Sequence, residues 1–205
     1  MNIKVLCFFL FLCLSAKGYA QSGWVVTGGI NASTSLSSET FGTSSGVSKW
    51  GVGGYIGGLY DARLSKVCYL QPQLIFSCQT VRSEYADERN MLSVSHVYSL
   101  TLPVLLSFRI GVGKEQALRI GVGPYLQSIL GARSHTRYGN NREQKLSASY
   151  ELGGWKRFIG GVKGNLWFEH RHWIYAVEGS YALMRHDVFH GGHGLTLSAG
   201  VGYKF

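Results

Sequence analysis

Apolar and polar positions alternate with a period of two along most of the chain between Trp24 and Phe205. The final run is the most regular. In LTLSAGVGYKF, Leu195, Leu197, Ala199, Val201, Tyr203 and Phe205 are apolar, and Thr196, Ser198, Gly200, Gly202 and Lys204 are polar or glycine. That alternation predicts a β-strand with one apolar face and one polar face. Seven earlier runs follow the same rule. Strand one spans about 24–32, with Trp24, Val26 and Ile30 on the apolar face. Strand two spans about 50–61, with Trp50, Val52, Ile56 and Tyr60. Strand three spans about 67–79, with Leu70, Leu74 and Phe76 against Gln71, Gln73 and Ser77. Strand four, about 97–109, sets Tyr98, Leu100, Leu102, Leu106 and Phe108 against Ser99, Thr101, Ser107 and Arg109. Strand five, about 117–130, sets Leu118, Ile120, Val122 and Leu126 against Arg119, Gly121 and Gln127. Strand six, about 155–168, is the least regular, with Phe158, Val162, Leu166 and Phe168 against Arg157, Lys163 and Asn165. Strand seven, 173–183, sets Trp173, Tyr175, Val177 and Tyr181 against Ala176, Glu178 and Ser180. Strand eight spans 195–205.

Roughly 9 to 14 residues per strand is near the length a tilted strand needs to cross a bilayer. The connections alternate between short turns and long polar loops, as in bacterial outer-membrane barrels. Tyr60, Phe108, Phe168, Trp173 and Phe205 all lie on the apolar face, at the short-turn end of their strands. An aromatic ring at one interface is expected of a membrane barrel. A secreted soluble β-barrel would bury those residues and would not align them at one rim. The expected fold is therefore all-β: an eight-stranded antiparallel transmembrane β-barrel, an up-and-down meander. In such a barrel the last strand pairs with the first, so a chain can end on strand eight.

The first twenty residues, MNIKVLCFFLFLCLSAKGYA, have a basic start, an apolar run from Val5 to Leu14 and small residues at Gly18 and Ala20. They read as a cleaved signal peptide of residues 1–20, followed by one barrel domain, 21–205. The apolar run is too short to span a bilayer. The expected location is the outer membrane of a Gram-negative cell envelope. The formal net charge is +9, of which Lys4 and Lys17 belong to the leader. The remaining basic excess suits anionic lipid head groups and lipopolysaccharide. Nucleic acid is not an expected partner, since the chain is exported and carries no recognition motif. Cys68 and Cys78 would lie roughly 33 Å apart on one strand, too far for a disulfide. With 28 glycines and only three prolines, the chain suits tightly curved strands. Pro72, Pro103 and Pro124 fall inside expected strands, where each forfeits a ladder hydrogen bond, so bulges or ladder defects are expected there.

The segments GGINAS, YLQPQLIFS, YSLTLPVLLSFRI, LRIGVGPYLQSILGA and GVGYKF, in this order and spacing, resemble the PorT-like outer-membrane β-barrel family. The chain departs from that family's pattern at Gln73, where a carboxylate is expected, and at Ser107, where a basic residue is frequent. The resemblance implies fold and location. It implies no reaction, because the family shares no catalytic residues. Some relatives serve a protein-secretion machine, so a secretion-system or envelope protein is a possible partner, and the terminal Phe205 resembles the signal read by the barrel-assembly machinery.

Three kinds of chemistry remain to weigh. A lipid-modifying hydrolase at the membrane surface would draw on Ser180 or Ser198 with His186, His190 or His193, but no nucleophile-elbow motif accompanies them. The stretch HDVFHGGH offers three imidazoles to a metal, which reads more simply as an exposed loop. A pore needs a wide lumen, and eight strands leave only room for side chains. Tyr55, Tyr69, Gln71, Gln73, Arg119, Tyr125, Lys163 and Glu178 would fill it. No enzymatic activity, cofactor or metal is therefore expected. The role expected is structural or adhesive, or accessory to a larger envelope assembly; a soluble binding module is the alternative. Inside the lumen, hairpin geometry sets Lys163 and Glu178 opposite or diagonal, predicting an ion pair that Arg119 could join.

Overall fold

The structure is a computed structural model that describes residues 23–35, 40–41, 44–85, 91–137, 143–148, 158–184 and 193–205. Among these, every regular element is a strand. Eight long strands form the barrel: β1 (Gly23–Ser35), β2 (Gly51–Arg63), β3 (Cys68–Tyr85), β4 (Met91–Gly111), β5 (Gln116–Arg137), β6 (Phe158–His170), β7 (Trp173–Ala182) and β8 (Gly194–Lys204). Each pairs antiparallel with its sequence neighbours, and β8 pairs with β1 from Val25↔Lys204 to Ser35↔Gly194. The sheet is closed, so it has no edge within the barrel wall. Three short segments, Thr40–Phe41, Ser44–Lys49 and Glu143–Ala148, extend it at the long-loop end.

The register fixes the barrel's shape. A path perpendicular to the strands runs Gly23, Asp61, Gln71, Leu105, Gly123, Lys163, Ser180, Thr196 and returns to β1 at Ser33, ten residues beyond its start. That stagger forces the strands to tilt, and a tilted eight-stranded barrel has an interior that side chains can fill. Every residue on the path faces inward.

The alternation read from the sequence maps onto this wall. Val25, Thr27, Asn31 and Ser33 are buried, whereas Trp24, Val26 and Ile30 are exposed. The same inversion runs round the barrel: Gln71, Gln73, Ser99, Ser107, Arg119, Lys163 and Glu178 are buried, and Leu74, Leu102, Ile120, Leu166 and Val177 are exposed. A polar interior with an apolar exterior reverses the rule for water-soluble proteins and fits a wall solvated by lipid.

Strand bounds differ from expectation mainly at the long-loop end. β3 runs to Tyr85, β4 starts at Met91 and β5 runs to Arg137, so segments expected as loops are paired ladder. The first part of strand six, around Trp155, lies outside the described residues. The prolines interrupt pairing without shifting it. The β3–β4 ladder breaks between Pro72↔Val104 and Ile75↔Thr101, and the β4–β5 ladder between Pro103↔Tyr125 and Leu106↔Val122; both resume in the same register. These are ladder defects and not bulges, because a missing donor costs a hydrogen bond but adds no residue. A register shift does occur elsewhere, at Tyr98/Ser99, where Leu130 of β5 is the extra residue.

Candidate functional site in the barrel interior

Two charged clusters lie in the lumen, beside apolar groups such as Val25, Leu59 and Ile174. The first joins β6 and β7. Lys163 Nζ lies 2.7 Å from Glu178 Oε2, and the indole of Trp167 donates to Glu178 Oε1 at 3.3 Å. Lys163 is in register with Ser180 and Glu178 with Asn165, so the ion pair is diagonal. Both side chains are buried. An unpaired charge there would cost several kcal/mol in lost solvation, which the partner offsets.

The second cluster lies nearer the short-turn end and draws on six strands. Arg119 Nη1 donates to both carboxylate oxygens of Asp61, at 2.7 and 2.6 Å, and its Nε lies 2.7 Å from Glu169 Oε1. Arg109 Nε donates to Glu169 Oε2 at 3.1 Å. Lys204 Nζ at 3.2 Å and Gln71 Nε2 at 3.2 Å complete the shell of Asp61. The Arg119 guanidinium also lies 4.3 Å above the Tyr69 ring. Arg119 and Asp61 are both 1% exposed. A planar guanidinium suits this place because it can face two carboxylates and an aromatic ring at once.

Arg119 thus does not join Lys163 and Glu178. On β5 the residue in register with Lys163 is Gly123, four residues from Arg119, whose own register partner is Trp167. The sequence reading missed Asp61, Glu169, Arg109 and Lys204 as members of this network. Their inward parity was the available signal, but their neighbours across the lumen come from strands distant in sequence.

Glycines make room for the large interior side chains. A Cβ at Gly161 would sit 2.6 Å from the Tyr125 ring, and one at Gly200 would meet the Tyr55 hydroxyl. Between the clusters and the long-loop end, a cavity of about 50 Å³ is lined by residues such as Asn31, Tyr55, Gln79, Tyr125, Lys163 and Ser198. It has room for a few water molecules. Ser180 also lines it. His193 Nδ1 donates to the Ala182 carbonyl oxygen, 2.9 Å away, and the ring stacks on Tyr181. His186 and His190 lie outside the described residues. Cys68 and Cys78 are free thiols.

The exterior carries two aromatic levels. Phe108, Phe168, Trp173 and Phe205 are exposed at the short-turn end, and Tyr60, half-buried there, packs against Trp24 at 5.2 Å between ring centroids. Trp173 and Phe205 both meet Tyr203 edge-on. The second level holds Trp50, Tyr98, Phe158 and Tyr181. Trp50, just before β2, and Tyr60 within it, Tyr98 and Phe108 on β4, and Phe158 and Phe168 on β6 are each ten residues apart. Ten residues span about 33 Å along a strand, or about 25 Å along the membrane normal at a tilt of about 40°, the height of an outer-membrane apolar band.

Residues 19–187 match the model of the outer membrane protein β-barrel domain family. The chain belongs to this family. Among solved structures, OprG from Pseudomonas aeruginosa is similar in fold, with a TM-score of 0.52 at 12% identity over 92% of this chain and 98% of that one. Ail from Yersinia pestis matches with a TM-score of 0.47 at 11% identity, over 91% of this chain and 100% of its own. The Neisserial surface protein A matches with 0.43 at 11% identity, again over 91% and 100%. No curated protein matches the sequence. The protein is an outer-membrane β-barrel. In this class the short turns face the periplasm and the longer loops face outward, which assigns residues 64–67, 112–115 and 171–172 to the periplasmic side.

Proposed function

We propose that this barrel is a closed, non-enzymatic anchor that works through its outer strands. Its role is structural or adhesive, or accessory to a larger envelope or secretion assembly of the PorT-like kind. The supporting observation is the Arg119–Asp61–Glu169 cluster. It places paired, fully buried charges from β2, β5 and β6 across a lumen already narrowed by Tyr69, Gln71 and Trp167. A lumen so filled at this level supports a barrel without an open channel. The groups that a hydrolase would use support the same reading. Ser180 and Ser198 line the lumenal cavity, while His193 donates to the Ala182 carbonyl.

The partners of such an anchor are outer-membrane lipids and lipopolysaccharide, the barrel-assembly machinery during biogenesis, and an envelope protein bound from outside or from the periplasm. Affinity purification from membranes in mild detergent tests this reading. Co-recovery of secretion or envelope components supports an accessory role, and recovery of the barrel alone supports a free-standing anchor. Lipid deacylation by the purified barrel that is lost in Ser198→Ala would overturn it in favour of a hydrolase.

A further inference from the structure

The lipid-facing wall is not evenly convex. A groove of about 570 Å³ crosses it from β5 to β1. Two outward rows of residues line it. The first row is Leu118, Phe168, Tyr175, Val201 and Gly28, each in register with the next. The second row, farther from the short turns on every strand, is Leu166, Val177, Ala199 and Ile30, again in register. The floor is backbone, laid bare where Gly28, Gly29, Ala199 and Gly200 bring little bulk. The walls are aliphatic and aromatic, with the Phe168 and Tyr175 ring centroids 6.4 Å apart near one end. The volume lies in the ordinary range of ligand pockets.

The register sets the groove's course. From β5 to β1 there are four steps of about 4.8 Å, roughly 19 Å in all. The strands tilt by about 40°, so a row at right angles to them climbs about 12 Å along the membrane normal. The low end is at β5 and β6, where Leu118 and Phe168 lie two residues from the strand ends at Gln116 and His170. The high end is at β1, where Gly28 lies five residues from Gly23. The groove therefore starts close to the periplasmic head-group level and stops near the middle of the apolar band. One leaflet takes up about half of a hydrocarbon core of about 30 Å. A single acyl chain descending from the periplasmic leaflet fits that course. A membrane-spanning helix needs the whole core and would find a groove along only part of its length.

The low end also carries charge. The β4–β5 and β6–β7 turns meet there, tied by the Arg171 N–H, which donates to the Glu115 carbonyl at 3.0 Å. Lys114 and Arg171 are exposed on these turns, with His170 and His172 beside them. The one carboxylate of residues 112–116 and 170–173 is Glu115, held by Arg171 at 2.6 Å. Glu169, the next acid along β6, points into the lumen and is bound by Arg109 and Arg119. The outward balance at the low end is thus two fixed positive charges, Lys114 and Arg171, against one negative, Glu115. Trp173 and Tyr203, stacked edge-on nearby, mark the same level as the membrane interface. Basic side chains at that level attract acidic lipid head groups.

We propose that this groove holds one phospholipid of the periplasmic leaflet with an acidic head group. An acyl chain lies over Gly28 and Ala199, and the phosphate meets Lys114 and Arg171. Close packing against the bare backbone holds the chain, since burial brings no hydrophobic gain over neighbouring lipid tails. Charge selects the head group. The inference rests on the barrel's place and orientation in the membrane and does not depend on closure of the lumen.

The test uses the full barrel, folded in mild detergent and titrated with phosphatidylglycerol or phosphatidylcholine of identical chains. Retained lipid is counted by native mass spectrometry. One phosphatidylglycerol per barrel should be held at least about tenfold more tightly than phosphatidylcholine. Lys114→Gln combined with Arg171→Gln should bring phosphatidylglycerol down to the level of phosphatidylcholine and leave the latter unchanged. Gly28→Leu combined with Ala199→Leu fills the groove and should weaken both lipids at least about tenfold. A Cβ at Gly28 meets nothing nearer than the Tyr55 carbonyl oxygen at 3.4 Å, so the wall has room for it, and the gel shift on boiling checks folding. Gly58→Leu, whose Cβ would lie 4.0 Å from the Val25 carbonyl oxygen and outside the groove, should leave retention unchanged. Equal retention of the two lipids by the wild type, no saturable retention, or an equal loss in Gly58→Leu would overturn the proposal. A wild-type dimer that the groove-filling variant dissociates would also overturn it, in favour of an interface between copies.

Discussion

Lys163 and Glu178 meet inside the barrel at 2.7 Å, diagonally across the β6–β7 hairpin, with both side chains withdrawn from solvent. Their charges face each other in a space where neither could be hydrated as in bulk water. Removing one partner leaves the other stranded, whereas removing both leaves only a polar cavity.

Lys163→Met and Glu178→Met should each destabilise the folded barrel by roughly 3–5 kcal/mol, and the double variant by much less than their sum. Urea unfolding in detergent micelles, followed by the gel shift between folded and boiled forms, checks this. Additive single effects would show that the pair is not coupled.

The β6–β7 turn supplies a test of backbone strain. Arg171 has φ of 55°, in the left-handed region that favours glycine. Its backbone N–H donates to the Glu115 carbonyl at 3.0 Å, tying two periplasmic turns together. Arg171→Gly and Arg171→Ala both delete the side chain, so their difference isolates the backbone term. The glycine variant should be the more stable by about 1 kcal/mol. Equal unfolding midpoints would contradict the turn geometry.

The side chain of Arg171 makes a second, pH-dependent contact with Glu115, 2.6 Å away. Its hydrogen bond, and then its charge, hold the Glu115 carboxyl below the ordinary carboxylate range. A depressed folded pKa gives a contribution that is present above the ordinary value and lost as pH falls through the lower, folded one. Both groups are exposed, so the effect is small and screened by salt. Wild type should be slightly more stable than Glu115→Gln at neutral pH and low salt. The two should converge on acidification or in about 1 M salt. A difference that persisted under either condition would show that the pair is not its source.

Orientation is open to labelling. In a background lacking Cys68 and Cys78, cysteine at exposed Arg133 should react with an impermeant maleimide on intact cells. Cysteine at exposed Lys66 should react only after the outer membrane is permeabilised. The reverse order would invert the assignment of the short turns to the periplasm.

What was legible in the sequence followed the wall. Leu195 to Phe205 showed its two faces because lipid and lumen demand opposite side chains at every step. The Lys163–Glu178 contact was within reach because one tight turn near His170 sets the register of its hairpin. Arg119 was visible as an inward charge, but its partners were not. Asp61 is 58 residues away and Glu169 is 50, and only the closed register brings β2, β5 and β6 around one point. The extra ladder at the long-loop end was hidden for a different reason. Beyond Gln79 and before Val97 the strands leave the bilayer, neither face is required to be apolar, and runs such as VRSEY and SVSH lose the contrast on which the reading depends. The extra residue at Leu130 then changes the pairing parity of β5, which no local pattern announces.

The most direct measurement is the electrical behaviour of the purified, folded barrel in a planar bilayer. The account predicts a silent membrane for the wild type, because Arg119, Asp61 and Glu169 close the lumen as a paired, buried layer. Arg119→Ala, which deletes the centre of that layer, should give resolvable steps of current. A large, steady conductance from the wild-type barrel would contradict the account.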